Sequence, residues 1–305
     1  MPRLRHLLFY ASCLATPVAA QSGPSLLVTP AQLSSELRDP RLVLLHVGPR
    51  EDYNAGHIAG ARFVELRDVA EETKEGTLAL ELPDEASLRQ RLERLGIGDN
   101  SKVVVVFGED WMSPSTRVVF TLQAAGLGKQ TRLLDGGTRA WKRAGLPLTT
   151  AEPAAATPGR LTVAQDRSIV VDYRWVQAHN KSPGVKLIDG RTPMFYEGPG
   201  MEMQGRRHEA GHIPGAKNLP FNSLGDDSLT FLSTEELRRR FAAVGVQPGD
   251  TVAAYCHIGQ QATVVLFSAR LLGHPIRLYD GSMDDWERRK LPLENATASK
   301  PPEKK

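Results

Sequence analysis

The chain has 305 residues, which is longer than one hydrophobic core usually organises and predicts about two domains. Its 38 basic and 35 acidic residues nearly cancel, so charge gives no reason to expect a nucleic acid or an anionic membrane as a partner. Hydrophobic residues form 41% of the chain, which is ordinary for a soluble globular protein and supplies enough apolar material for two cores.

The N-terminus has the pattern of a secretory signal peptide. Two arginines are followed by a short apolar stretch to about Ala15, and the small residues at 18–20 suit a signal peptidase. The stretch is too short for a permanent anchor and no later run approaches its length, so no membrane span is predicted. We expect cleavage of residues 1–20 and a soluble mature protein in the periplasm. The alternatives are a cytosolic protein or lipid attachment at Cys13.

The rest of the chain contains two copies of one pattern. Gly-His-Ile-Ala-Gly-Ala at residues 56–61 recurs as Gly-His-Ile-Pro-Gly-Ala at residues 211–216. Leu-Asp-Gly-Gly at residues 134–137 recurs as Tyr-Asp-Gly-Ser at residues 279–282. After the signal peptide we therefore predict four segments: an N-terminal domain over 24–149, an Ala- and Pro-rich linker over 150–168, a C-terminal domain over 169–296 and a disordered tail over 297–305.

Each copy alternates short apolar runs with amphipathic stretches. In the first copy, residues 43–47 read as a buried strand, and residues 103–107 are a continuous apolar run, as expected for a strand that is covered on both faces. In the second copy the corresponding strands are Val185–Asp189 and Thr251–Tyr255, and a long apolar helix follows over residues 262–272. Strands that alternate with helices predict an α/β fold around a parallel sheet in each copy.

Removal of the signal peptide leaves one cysteine, Cys256, so no internal disulfide is expected. This cysteine follows directly on a predicted strand and faces the N-terminus of the next helix, where free backbone N–H groups favour an anion such as a thiolate. Gly259 lets the intervening loop curl so that its amides point inward. The alternative is a buried structural cysteine. The loop consists of His257, Ile258, Gly259, Gln260 and Gln261.

With these features the chain resembles the tandem rhodaneses, which include thiosulfate and 3-mercaptopyruvate sulfurtransferases. The resemblance is carried by Asp189-Gly190-Arg191, residues 211–216, the Cys256 loop, and residues 279–282 with Trp286. It implies two tandem rhodanese-like domains, each a parallel sheet flanked by helices, of which only the C-terminal one is catalytic. It also implies that Cys256 accepts a sulfane sulfur as a persulfide. The donor is then a small anionic sulfur compound, the acceptor is a thiol, cyanide or a protein thiol, and the chemistry needs no metal or organic cofactor.

The resemblance also implies residues that bind the donor. In mercaptopyruvate-type relatives, arginines in the stretch after the second copy's first strand hold the donor's carboxylate. Arg191 is the best-matched candidate, Arg206 or Arg207 is a further one, and Asp189 is expected to support the site. The alternative is that these arginines belong to a solvated surface loop.

The first copy lacks this chemistry. Phe107 stands in the place of the cysteine, and the acidic pair at 109–110 would repel both a thiolate and an anionic donor. His46 stands where the second copy has Asp189. We therefore expect the N-terminal domain to be a non-catalytic scaffold.

The loop matches neither common variant of the family. Relatives that prefer thiosulfate tend to carry basic residues after the cysteine, and those that prefer mercaptopyruvate tend to carry small residues and a serine. His257 either supplies partial charge or caps the helix, while Gln260 and Gln261 are neutral, so the donor stays open. Ala262 stands where phosphatases of related architecture need an arginine, which argues against phosphate chemistry.

Two other functions are compatible with the same residues. One is a non-catalytic persulfide carrier or partner-binding module, which would load once with sulfur and then stall with small thiols. The other is a thiol redox protein, although the mature chain would lack a resolving cysteine.

Overall fold

The computed structural model describes residues 25–108, 112–198, 201–203, 206–208 and 211–294; for 201–203 and 206–208 the backbone alone is described. The predicted signal peptide, Cys13 and the predicted C-terminal tail lie outside the described residues. Residues 150–166, within the predicted linker, form neither helix nor strand. Across the described residues, no helix is both long and apolar enough to cross a membrane.

Five strands form the N-terminal sheet. They are β1 (Leu27–Val28), β2 (Leu42–Val47), β3 (Ala61–Val64), β4 (Lys102–Phe107) and β5 (Thr131–Leu134). Their spatial order is β1-β5-β4-β2-β3, and they pair in parallel. The helices of this half are α1 (Pro30–Glu36), α2 (Arg50–Ala55), α3 (Glu85–Arg94), α4 (Ser113–Leu122) and α5 (Gly137–Arg143).

The C-terminal half repeats this architecture. Its sheet is built from β6 (Val170–Val171), β7 (Val185–Asp189), β10 (Lys217–Asn218), β11 (Thr251–Tyr255) and β12 (Ile276–Tyr279), in the parallel order β10-β7-β11-β12-β6. A separate antiparallel hairpin consists of β8 (Met201–Met203) and β9 (Arg206–His208). The helices are α6 (Tyr173–His179), α7 (Pro193–Glu197), α8 (Thr234–Ala243), α9 (Ala262–Leu271) and α10 (Ser282–Arg288). Two parallel sheets flanked by helices confirm the predicted α/β fold.

The central strands are largely apolar because both faces of each sheet are covered. In β4, Val103 and Val105 belong to one hydrophobic cluster, while Val104 and Val106 belong to the cluster on the opposite face. Successive side chains of a strand point to opposite faces, so a continuous apolar run is the pattern that two covered faces require.

Helices α4 and α9 join the two halves. Both are buried along almost their whole length, and they pack against each other in one cluster that contains side chains of both sheets. Near the start of this contact the Oγ1 atoms of Thr116 and Thr263 lie 2.8 Å apart. Because α9 begins directly after the Cys256 loop, this packing brings the N-terminal domain against that loop.

Candidate active site

The candidate nucleophile lies at the carboxyl edge of the C-terminal sheet. Cys256 follows the last residue of β11, and Tyr255 is paired in register with Asp189 at the end of β7. The thiol is free, and Cys256 is 1% exposed. The carboxyl ends of adjacent parallel strands meet at one edge, which is why residues 67 positions apart in the chain share this site.

The start of helix α10 anchors the nucleophile. The backbone N–H of Cys256 donates to Ser282 Oγ at 3.2 Å, and this hydroxyl donates to the Tyr279 carbonyl at 2.9 Å. The N–H groups of Met283 and Asp284 donate to the carbonyls of Cys256 and His257 at 3.1 and 3.0 Å. Sequence reasoning missed Ser282, although the replacement of Gly by Ser within the repeated Asp-Gly motif was a usable signal.

Two further loop carbonyls are bound by groups beyond the loop. The Gly259 carbonyl accepts from Arg117 Nη1 at 3.2 Å, and the Gln260 carbonyl accepts from Thr263 N and Oγ1 at 3.1 and 2.6 Å. A trans peptide points its C=O and the following N–H in opposite directions, so outward carbonyls turn the loop amides toward the space that the loop encloses. Within the described part of the chain, the amides of residues 258–261 donate to no other group. These four donors are available to an anion.

Gly259 is required by this geometry. Its φ is +78°, and a Cβ at this position would lie 2.7 Å from the Asp280 carbonyl oxygen and 3.1 Å from Arg117 Nη1. A side chain would therefore displace the loop even if the left-handed backbone were tolerated. The predicted curl at this glycine is present in the structure.

Asp189 and Arg191 form a buried ion pair beside the strand end. Arg191 Nε donates to both carboxylate oxygens of Asp189 at 3.0 and 3.1 Å, and Nη2 donates to Oδ2 at 2.6 Å and to the Gly211 carbonyl at 2.8 Å. Both residues are 0% exposed. In the described structure Arg191 Nη1 has no hydrogen-bond partner. The guanidinium is thus held by Asp189, and Nη1 is the nitrogen that remains for another ligand.

The other loop side chains are partly exposed. The His257 ring lies edge-on against Phe195 of α7, with 4.4 Å between the ring centroids. Gln260 Nε2 donates to Ser113 Oγ of the N-terminal domain at 3.0 Å, and Gln261 precedes α9 without a side-chain capping bond. Arg206 and Arg207 lie on β9, but their side chains are outside the described part of the chain. Among the described residues, no cluster of three or more His, Cys, Asp or Glu side chains is placed to hold a metal ion.

The histidines of the two repeated motifs have the same surroundings. His57 stacks on Tyr53 and its Nδ1 lies 2.9 Å from the carbonyl oxygen of that tyrosine. His212 stacks on Tyr196 and its Nδ1 lies 3.2 Å from the corresponding carbonyl. A contact that recurs in both halves indicates a structural role in the fold.

The equivalent place in the N-terminal domain is filled differently. Phe107 occupies the position in the N-terminal domain that Cys256 occupies in the C-terminal domain, and Gly137 occupies the position of Ser282. A Cβ at Gly137 would lie 2.6 Å from the Phe107 ring, so the ring occupies the space that the serine uses in the other domain. His46 borders a cavity of about 140 Å³ here. It is 0% exposed, and neither ring nitrogen has a partner in the part of the chain that the structure describes.

This histidine should make the stability of the protein depend on pH. Burial, with a smaller contribution from His57, lowers the pKa of His46 from 6.5 to about 4. The unfolded chain therefore binds more protons than the fold between these values, and stability falls as the pH is lowered through them. From pH 7 to pH 5 this residue should reduce the free energy of unfolding by about 2 kcal/mol. Denaturant unfolding of the wild type and His46→Leu at both pH values measures the difference. An equal loss in the two proteins would contradict the assignment.

A comparison with known protein families gives this geometry its context. The family model for the Rhodanese-like domain matches residues 29–144 and again residues 172–289. The chain belongs to the rhodanese family. The two matched regions contain all strands of the two parallel sheets except β1 and β6, which lie just before them.

Among relatives that are similar over most of their length, two are named sulfurtransferases and one is named a sulfur carrier protein. It is 35% identical to the probable 3-mercaptopyruvate sulfurtransferase of Pseudomonas aeruginosa, over 85% of this chain and 94% of the relative. It is 31% identical to the thiosulfate sulfurtransferase of Rattus norvegicus, over 94% of this chain and 95% of the relative. The sulfur carrier protein TtuD of Thermus thermophilus is 33% identical, over 86% of this chain and 94% of the relative.

Solved structures show the same fold. YnjE matches with a TM-score of 0.79 and 21% identity, over 92% of this chain and 71% of that one. Wild-type EanB matches with a TM-score of 0.75 and 22% identity, over 88% of this chain and 69% of that one. At this level of identity the likeness concerns the fold alone.

Proposed function

We propose that this rhodanese is a sulfurtransferase that moves a sulfane sulfur from thiosulfate or 3-mercaptopyruvate to a thiol or cyanide. The sulfur travels as a persulfide on Cys256. The observation that carries the proposal is the buried free thiol at the start of a loop whose amides at 258–261 are available to an anion. Both the thiolate and the persulfide are anions that such amides stabilise.

The reaction has two displacement steps. In the first, the Cys256 thiolate attacks the outer sulfur of the donor, a bond forms between the two sulfurs, and the rest of the donor leaves with the bonding electron pair. The leaving fragment is sulfite from thiosulfate, or the enolate of pyruvate from 3-mercaptopyruvate, which then takes up a proton. In the second, the acceptor attacks the terminal sulfur and the Cys256 thiolate leaves. In this scheme the loop amides stabilise the sulfur in both steps and need not rearrange.

The N-terminal domain takes no sulfur in this scheme. Phe107 offers no nucleophile, and its ring fills the space that Ser282 has in the other domain. The periplasm remains the proposed location, on the basis of the sequence pattern of residues 1–20.

Intact mass of the mature protein tests the proposal. After incubation with thiosulfate, and separately with 3-mercaptopyruvate, we expect the mass to increase by one sulfur atom, which cyanide or a thiol then removes. The donor that loads faster is the preferred one. A protein that gains no sulfur from either donor, while Cys256 still reacts with iodoacetamide, would overturn the proposal. Rapid mixed-disulfide formation in its place would favour the redox alternative.

We propose that Arg191 binds the donor through Nη1. Arg191→Lys keeps a positive charge beside Asp189 but lacks this nitrogen, so the buried carboxylate is not left without a counter-ion. The apparent KM for 3-mercaptopyruvate should rise about tenfold, because one charge-assisted hydrogen bond to the donor is lost. The rate of Cys256 alkylation should not change. An equal loss in both assays would mean that Arg191 supports the loop and does not bind the donor.

A sulfur carrier is the second candidate function, favoured by the similarity to TtuD. Its partner would be a protein thiol. Repeated turnover separates the two candidates: with excess donor and a small thiol, an enzyme releases product continuously, whereas a carrier releases about one equivalent per Cys256.

A further inference from the structure

Arg117 reaches the Cys256 loop from the other domain. It lies on α4 of the N-terminal half and is 2% exposed. Its Nη1 donates to the Gly259 carbonyl at 3.2 Å and to Asp280 Oδ1 at 2.6 Å, and its Nη2 donates to the Leu80 carbonyl. One guanidinium thus joins α4, the segment before α3, the Cys256 loop and the end of β12.

The bond to Gly259 fixes one of the loop amides. The carbonyl of Gly259 and the N–H of Gln260 belong to the same planar trans peptide and point in opposite directions. With the carbonyl held on Arg117, the Gln260 N–H is directed away from the N-terminal domain and into the loop. Gln260 is held a second time by the bond from its side chain to Ser113 Oγ. Release of the carbonyl would let this peptide rotate and withdraw a donor from the thiolate.

One contact across this interface recurs in both halves, but the arginine does not. Asp280 Oδ2 accepts from Leu82 N of the first half at 2.9 Å, and Asp135 Oδ1 accepts from Phe231 N of the second half at 3.0 Å. These are the two copies of one repeated aspartate, and each contacts the opposite domain. When the facing residues Thr116 and Thr263 are matched, the counterpart of Arg117 is Val264. Arginine therefore stands at the position of α4 that contacts the Cys256 loop, whereas the equivalent position of α9 carries an uncharged valine.

We propose that Arg117 is a positioning residue for the sulfur-carrying loop, so that the N-terminal domain, although it lacks a nucleophile, completes the active site. This inference rests on the proposed function, because that function makes Cys256 the residue whose loop must be ordered. Arg117 acts through the Gly259–Gln260 peptide and makes no hydrogen bond with Cys256 in the described structure.

Several charged groups of the C-terminal domain around this site are paired with one another: Asp189 with Arg191, Asp284 with Arg288, and Asp285 with Arg289 and the Tyr279 hydroxyl. Glu81, in the segment before α3, also faces the site, and burial together with the Asp280 and Asp285 carboxylates raises its pKa. His257 is the remaining titratable side chain of the loop and packs against Phe195. An effect of Arg117 on the thiolate can therefore be separated from the contributions of these groups.

The test is the pH profile of Cys256 alkylation by iodoacetamide in the full chain. The double variant Arg117→Leu with Asp280→Asn removes both charges of the pair and keeps a side-chain oxygen for Leu82 N–H, so no buried carboxylate is left alone. We expect the pH of half-maximal alkylation to rise by about one unit and the rate at pH 7 to fall about tenfold. The kcat for sulfur transfer should fall more than KM rises. Arg117→Lys retains the positive charge but not the two-pronged guanidinium. Its alkylation profile should therefore lie between those of the wild type and the double variant.

Asp135→Asn is the matched control. It weakens the equivalent contact between the domains at the place that does not adjoin the Cys256 loop, so it should leave the alkylation profile and kcat unchanged even where the melting temperature falls. The inference is wrong if the Arg117 variants lower only the melting temperature, or if Asp135→Asn shifts the profile equally. If the double variant does not fold, an unshifted alkylation profile in Arg117→Lys would likewise show that the inference is wrong. Alkylation requires no sulfur donor, so the two failures are distinguishable: a wild type that alkylates readily but never gains sulfur overturns the proposed function, whereas an unshifted alkylation profile in the Arg117 variants overturns the positioning role alone.

Discussion

Cys256→Ser should abolish sulfur transfer. We expect kcat/KM with thiosulfate and with 3-mercaptopyruvate to fall by more than about 1000-fold, because a hydroxyl is a weak nucleophile at neutral pH and no persulfide can form on it. Serine is nearly isosteric with cysteine, and the backbone N–H at this position keeps its bond to Ser282 Oγ. The fold should therefore be retained. Steady-state assays with cyanide and with a small thiol as acceptors measure the effect.

The melting temperature of the same variant is its control. Cys256 is 1% exposed, and the change from sulfur to oxygen in this place should lower stability only modestly. A variant that melts like the wild type and yet keeps a substantial fraction of its activity would show that sulfur is carried elsewhere. A variant that gains a sulfur atom in the mass assay would show the same.

The strands could be predicted because the central ones are covered on both faces. The runs Val185–Asp189 and Thr251–Tyr255 coincide with β7 and β11, and the predicted run at 103–107 lies within β4. The edge strands β1, β6 and β10 contain two residues each and were not predicted. A segment of that length has no periodicity of its own, and its pairing is decided by the sheet that it joins.

The position of the candidate site could be predicted from the sequence, but the residues that hold the Cys256 loop in place could not. Cys256, Asp189 and Gly259 lie at strand ends or turns whose place follows from local pattern. Arg117 was missed because its contacts join the two halves, and the pattern of one copy does not report which residues of the other it will meet. Ser282 was missed because its partner Cys256 lies 26 positions away in the same copy. A signal for Arg117 was also available: it is the one charged residue of α4, and a buried charge needs a partner.

The burial of Arg191 was not predicted either. Arginine is mostly exposed in proteins, so the sequence pattern left a surface loop as the alternative. The structure encloses it because Asp189, two residues earlier, supplies both carboxylate oxygens to its guanidinium. A short-range acid–base pair at a strand end can therefore indicate a buried ion pair as well as a substrate site.

Gly259→Ala should reduce kcat/KM by at least about 100-fold, because misplacement of a catalytic group by about 1 Å has an effect of this size. The added methyl would lie 2.7 Å from the Asp280 carbonyl oxygen, which belongs to backbone at the end of β12, and 3.1 Å from Arg117 Nη1. The loop must move because the backbone of the sheet cannot. Its amides then no longer point at the sulfur, so the rate of Cys256 alkylation at pH 7 should fall with the activity.

Gly245→Ala and Gly273→Ala separate this steric effect from backbone strain. Their φ angles of +83° and +85° resemble the +78° of Gly259, yet nothing lies within 4 Å of an added Cβ at either position. Each should lower stability by about 1 kcal/mol, the cost of a side chain in the left-handed region, and leave kcat/KM unchanged. If Gly259→Ala behaves like these two variants, with a lower melting temperature and full activity, the inward-facing amides are not what activates Cys256. The buried sulfur would then owe its reactivity to other groups at the strand ends, such as the Arg191 guanidinium that Asp189 holds after β7.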